Sequence, residues 1–411
     1  MKQTIRLGIG FATGRRIFKK VLLSHLSIWR DTQKDIPEDV EISLSLFVSY
    51  DINYQNASAS DFINLNKEII EAFDKIVFIG PKGMSEKWHD LMARHSISIN
   101  EIKAVFNTGY AGKRNAILYA AIENQMDYLL FLDDDEYPTA VTNKKGTCLW
   151  SGQKVILEHI RRIQGADYTN GYHCGYISPI PQIEYHGHLK EEEFKNFIEA
   201  LSNDIISWSS IKSIMDNGGV TYASTDVLSQ SASESVPFKN GCRFVSGANL
   251  CINLKNKKRT LPFYNPPAAR GEDAFLSTML KDRAVLRIPT YTFHDGFTNY
   301  PHILDGALPV SLKPIDPESP KTITRFTYAC AGWIRYKPLF LYVTDKNNYA
   351  HRIEEVRQKL KISIAPLANY FKDGRFLDIP RDFEKYHQNV GKHFFEYMLI
   401  QETWNKIMDT L

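Results

Sequence analysis

The sequence predicts an α/β protein: a mainly parallel central sheet flanked by helices, followed by a mostly helical C-terminal region. Three observations carry this. Strand-like apolar runs alternate with amphipathic helical patterns through the first 132 residues, the mark of βαβ units. Acidic residues, Asp51 and the run 133–136, stand where two of those strands end, and sheets of this type bind ligands at the carboxyl ends of their strands. After the Pro-rich connector 309–320, the last ninety or so residues read as helix.

In chain order, "TIRLGIGF" (4–11) reads as a strand, and 15–30 as an amphipathic helix with Ile17, Val21, His25 and Ile28 on one stripe. Residues 41–51 form a second strand, 61–73 a helix and 74–81 a third strand. A helix over 111–124 and the strand 127–132 follow. From about 140 to 240 the pattern is irregular: helices near 153–164 and 190–202, an aromatic stretch at 172–188 and a polar loop at 223–238. This reads as an insertion at the mouth of a site. Order returns with "CRFVSGANLCINL" (242–254). The expected division is one domain over 1–308 and a helical region over 321–411.

Composition narrows the class. At 43% hydrophobic and 24% charged, the 411 residues describe a folded, soluble chain. Fifty basic against forty-seven acidic residues leave +3, so nothing calls for a nucleic-acid partner. Five scattered cysteines without a CxxC pair fit a reducing, cytoplasmic setting. No signal-peptide pattern opens the chain, and no apolar run reaches the ~18–20 residues of a membrane span. The nearest, 326–343, is interrupted by Arg335, Lys337 and Pro338, which leaves peripheral contact with a membrane surface open. Oligomeric state is not legible.

Four segments point to chemistry. "FLDDDEYP" crowds four carboxylates at a strand end without the Gly, Asn or Ser of an ordinary turn. Such crowding is expected where a divalent cation, Mg²⁺ or Mn²⁺, neutralises it. "NTGYAGKRN" (107–115) offers Gly109 and Gly112 for close approach, with Lys113 and Arg114 at a helix start, a combination suited to phosphate oxygens. "GEDAF" (271–275) sets Glu272 and Asp273 at the start of a further helix, and "YTFHDGF" (291–297) ends a strand in His294. "HGH" (186–188), with His173 and Cys174, matches no zinc spacing.

Together these segments resemble the GT-A glycosyltransferases, most closely the family 2 type, over roughly residues 4–300. "NTGYAGKRN" is similar to that family's Asn-x-Gly…Arg-Asn segment, "FLDDDEYP" to its DxD, "VSGANLCINL" to its Gly-Ala-Asn strand and "GEDAF" to its Glu-Asp motif. The resemblance implies a GT-A fold with a catalytic domain over 1–308. It also implies transfer of a sugar from a nucleotide-diphosphate sugar, UDP favoured, to a hydroxyl of a glycan, lipid-linked or protein acceptor. Asp51 would contact the base. Arg114 would face the diphosphate, with Lys113, Gly109 and Asp134 on the donor side. Asp133, Asp135 and His294 would hold Mn²⁺ or Mg²⁺. Asp273 would be the general base of an inverting displacement, with Glu272, Gly247 and Asn249 on the acceptor side. The first strand, "GIGFATGRR", departs from the family's Pro-x-Tyr-Asn-like pattern.

Three other readings stay on the table. A haloacid-dehalogenase-type phosphohydrolase would use Asp133 as nucleophile with Asp135, but that fold usually opens with its acidic strand. A sugar-1-phosphate nucleotidyltransferase would need consecutive glycines absent from "GIGFATGRR". A non-catalytic sugar-binding module would leave the carboxylates dispensable.

Overall fold

A computed structural model describes residues 2–144, 146–185, 187, 189–201 and 208–411. Strands β1 (Gln3–Thr13), β2 (Val40–Tyr50), β3 (Lys75–Ile79) and β4 (Tyr128–Phe131) are parallel, in the order β3-β2-β1-β4. There follow β5 (Glu136–Tyr137), a separate hairpin of β6 (Thr139–Lys144) and β7 (Thr147–Gly152), then β8 (Tyr168–Gly175), β9 (Glu234–Ser235), β10 (Leu250–Asn253) and β11 (Val285–His294). The sheet continues β4-β10-β8-β11-β5, with β9 on β11, for nine strands among the described residues. β10 runs antiparallel to both its neighbours, and β8 and β11 run parallel to each other. The chain is therefore α/β with a mostly parallel sheet and a helical C-terminal region.

Alternation along β1 explains why both faces are covered. Leu7, Ile9 and Phe11 face one core with the helices Phe18–Thr32 and Val155–Ile163. Gly8 and Gly10 face the other, under the helix Tyr110–Glu123. That helix lies so close that a Cβ on Gly10 would sit 2.9 Å from Cγ2 of Ile117 and 3.2 Å from the Phe131 ring. Gly10→Val is expected to cost about 1–3 kcal/mol through overpacking, read as a lower urea midpoint at unchanged slope. An unchanged midpoint would mean the helix does not pack as described.

The structure revises several local expectations. The helix expected over 61–73 is two short turns, Ser60–Ile63 and Lys67–Ile70, because Asn64 and Asn66 between them take extended conformations. Within 140–240, β8 is a central strand of the sheet, whereas the helices Glu191–Leu201 and Trp208–Asp216 pack on the C-terminal helices. The strand expected over 242–254 is only Leu250–Asn253, since Asn249 has φ 49° and turns the chain into it. The segment 326–343 lies inside one 25-residue helix, Pro320–Thr344, with Pro338 in its interior. No helix among the described residues is long and apolar enough to cross a membrane. The C-terminal helices are woven into the main core: Trp404, Ile407 and Tyr336 share a cluster with Ile117, Phe131 and Phe275.

β1 leads to β2 and β3 on one side, while β4 lies on its other side. Such a reversal of strand order opens a crevice beyond the carboxyl ends of the two central strands. Thr13 and Arg15 leave β1 there, and Asp133–Asp135 leave β4.

Candidate active site

The four consecutive carboxylates take four different directions as the chain turns out of β4. Asp133 accepts hydrogen bonds from the Tyr110 hydroxyl (3.2 Å) and Nη2 of Arg114 (3.0 Å). Asp134 accepts from Oγ1 of Thr13 (2.6 Å) and Nη1 of Arg15 (3.1 Å). Asp135 is bonded to the same Arg15 nitrogen and lies 3.4 Å from Nε2 of His294. Glu136 points away into β5, where Thr292 donates to it (2.6 Å) and Nδ1 of His173 lies 3.1 Å off.

Burial and neighbours separate their titrations. Burial raises Asp133, and it raises Asp134 to about 7 against the pull of Arg15. Burial also opposes ionisation of Asp135, but His294 and Arg15 outweigh it and hold this carboxylate below the ordinary range. His294 mirrors this: burial disfavours its charged form, yet Asp135 lifts it to about 9. Asp51 is lowered, because hydrogen bonds from Lys113 (2.7 Å) and the Asn53 amide (2.9 Å) overcome its burial.

Arg114 is the hub. Its side chain is 2% exposed and ringed by Tyr110, Phe131 and Phe263, with centroids 4.9, 5.1 and 5.5 Å from Cζ. One guanidinium nitrogen donates to Asp133, another to the carbonyl of Gly247, and Nε lies 3.8 Å from Glu272. Three segments of the chain, around residues 133, 247 and 272, thus meet on one cation. This corrects the expectation that Arg114 faces a diphosphate, since its charge is enclosed and committed to protein oxygens. Gly109 is where expected, capping the helix start, and its amide donates to Asn107 (2.8 Å).

Glu272 and Asp273 open the helix Glu272–Thr278 after Gly271. Burial is the main cause pushing both upward; Glu272 reaches about 7, with the neighbouring charge of Asp273 adding to the rise. One Asp273 oxygen accepts the Ala274 amide (2.8 Å). A carboxylate raised above its ordinary range is a stronger base, which suits proton abstraction.

Asn249 does not reach toward an acceptor. It is fully buried, donates to the Tyr172 carbonyl (3.2 Å) and accepts from Nε2 of His159 (2.8 Å). Asn249→Ala leaves Nε2 of buried His159 without its partner and is expected to cost about 1–3 kcal/mol of stability. A loss below a few tenths of a kcal/mol in urea unfolding would contradict this strut role.

The expected trio of Asp133, Asp135 and His294 is not drawn together: Asp133 turns to Arg114, Asp135 to Arg15 and His294. Among the described residues no three His, Cys, Asp or Glu side chains form a ready metal cage. The narrower pair fits a cation. His294 bonds the Tyr176 carbonyl through Nδ1, which must be the donor there, so Nε2 faces Asp135 and would offer its lone pair once a cation displaced the proton it carries. Backbone-oriented imidazole beside a carboxylate is a common ligand arrangement. Two protein ligands with phosphate oxygens and water are also how Mg²⁺ is usually held. His173 is bound to Glu136, and Cys174 is buried with its thiol pushed up to about 12 by burial; His186 and His188 lie outside the described residues.

Residues not singled out from sequence complete the site. Thr13 and Arg15 follow β1; Tyr54 stands over Arg15, its ring centroid 5.9 Å from the guanidinium. The signal for Arg15 was a Gly-Arg pair directly after a strand, in the segment that departs from the family pattern. Arg325 comes from the C-terminal helix and no local signal announces it. Compared with protein-family models and with curated proteins, the chain matches none.

Proposed function

We propose that the protein is a glycosyltransferase of the GT-A type, moving a sugar from a nucleoside-diphosphate donor, UDP favoured, to a hydroxyl acceptor by single inverting displacement. The observation that carries this reading is the Arg114 hub, which brings the acidic run after β4, the Gly247 carbonyl and the Glu272–Asp273 pair onto one crevice. A donor site and a base for the acceptor must lie side by side in such an enzyme, and the closeness of these groups supports that reading.

In this reading the base and ribose lie over the ends of β1 and β2, where Asp51, fixed by Lys113, offers an acceptor oxygen beside exposed Tyr54. Asp135 and His294 would hold a divalent cation, which would supply charge neutralisation at the leaving diphosphate. Asp273 takes the proton from the attacking acceptor hydroxyl as the new glycosidic bond forms and the sugar–phosphate bond breaks. Glu272, anchored on Arg114, positions Asp273 and keeps its surroundings negative. Arg114 sets Asp133 against the β4 end and never touches substrate.

A thermal-shift screen against UDP-, GDP-, CMP- and dTDP-sugars, with Mn²⁺ and with chelator, tests the proposal, because a ligand of the native state raises the melting temperature by mass action. A rise with one nucleotide class, followed by release of that nucleoside diphosphate on incubation with acceptor mixtures, is expected. No shift with any donor under either condition would overturn it.

A further inference from the structure

Arg325 makes no ion-pair contact with a carboxylate among the described residues, although Asp135 acts on it at longer range. It projects from the first turns of the helix Pro320–Thr344. Its guanidinium donates to the Gly296 carbonyl and stacks 4.6 Å over the Phe297 ring. Gly296 is pinched between that arginine and the candidate metal ligand. A Cβ there would lie 2.7 Å from Nη2 of Arg325 and 2.7 Å from Cε1 of His294. Arg325 thus stands beside His294, itself next to Asp135. Burial, and after it the like charge of Arg15, disfavour its cationic form more than Asp135 supports it.

A half-buried guanidinium with no carboxylate in ion-pair contact has donors left for an incoming anion. Arg15 already commits its charge to Asp134 and Asp135, so Arg325 is the cation with donors to offer. Planar, forked donors match phosphate oxygens in particular. Lys321, one turn earlier, holds the Phe297 carbonyl and braces the same loop.

We propose that Arg325 is the oxyanion-binding residue that receives the diphosphate of the donor, so that the C-terminal helix, rather than the Lys113–Arg114 segment, closes the donor site. This rests on the transferase reading for the identity of the ligand, but the anion site stands on Arg325 itself.

Calorimetric titration of the full chain with inorganic pyrophosphate, UDP and uridine, at two salt concentrations, tests it. The variants are Arg325→Gln, which keeps a donor for Gly296 while removing the charge, and Arg325→Lys, which keeps the charge. Loss of a charged hydrogen-bond partner predicts about a tenfold to hundredfold weaker binding of pyrophosphate and UDP in R325Q. Partial recovery is expected in R325K, with a shallower salt dependence in R325Q and no change for uridine. Pyrophosphate binding of wild-type strength in R325Q, or none in the wild-type chain, would overturn the proposal. A nucleoside diphosphate bound equally by both would sink the arginine site and spare the transferase reading. Pyrophosphate held through Arg325 without turnover of any nucleotide sugar would do the reverse.

Discussion

Asp273→Asn is expected to lower turnover of the nucleotide-sugar donor by about 10²–10⁴-fold while leaving the melting temperature near that of the wild type, the range typical for removal of a general base. The amide is nearly isosteric and can still accept the Ala274 amide hydrogen, so the helix start keeps its bond. What disappears is the proton acceptor. Donor binding should survive, because Asp51, Lys113 and Asp135 are untouched. Glu272→Gln should behave differently, since Glu272 acts through Arg114 and its neighbour rather than on the acceptor. A smaller fall in kcat is expected, and the acid limb of the pH–rate profile should move to lower pH as the adjacent negative charge is removed. Turnover by Asp273→Asn within twofold of wild type would remove Asp273 from the mechanism.

Arg114→Met is expected to cost about 1–3 kcal/mol of folding stability, because it leaves two half-buried carboxylates, Asp133 and Glu272, without their cation. The methionine fills much of the space between Tyr110, Phe131 and Phe263, so packing loss alone would account for less. The pH dependence identifies the electrostatic part. Glu272 has a folded-state pKa of about 7 against an ordinary 4.5. A raised carboxylate is compatible with the fold while protonated, and its contribution is lost as pH rises from about 4.5 through 7. Glu272→Gln should therefore flatten this part of the stability profile relative to wild type. Arg114→Met should steepen it, with the loss extending above pH 7. Urea midpoints measured between pH 4.5 and 8.5 decide the matter. Parallel profiles for wild type and Glu272→Gln would show that Glu272 is not buried as described.

Much of the fold was legible because period-2 and period-3.6 patterns are local. The strands ending at Thr13, Tyr50 and Phe131 and the helix Tyr110–Glu123 all lie close to where the pattern put them. The pattern failed at asparagines. Asn64 and Asn66 take extended backbone inside the expected helix, and Asn249 turns at φ 49° with its side chain held by His159 and Tyr172, partners that no periodicity records.

The sequence by itself determined that carboxylates would collect at the ends of β2 and β4, and that a Glu-Asp pair and a histidine would lie downstream. It determined this because strand ends and their composition are properties of short segments. Only the tertiary structure decided what each carboxylate does. Asp133, Asp134, Asp135 and Glu136 are chain neighbours, yet they answer to Arg114, Thr13, Arg15 with His294, and Thr292 with His173. Those partners come from four elements and one loop, spread over nearly three hundred residues. The same physics moved Arg114 from the ligand side to the interior and brought Arg325 from the C-terminal helix to the rim. A charge acts through space over a few ångströms, and which charges share those ångströms is settled by packing, not by proximity along the chain.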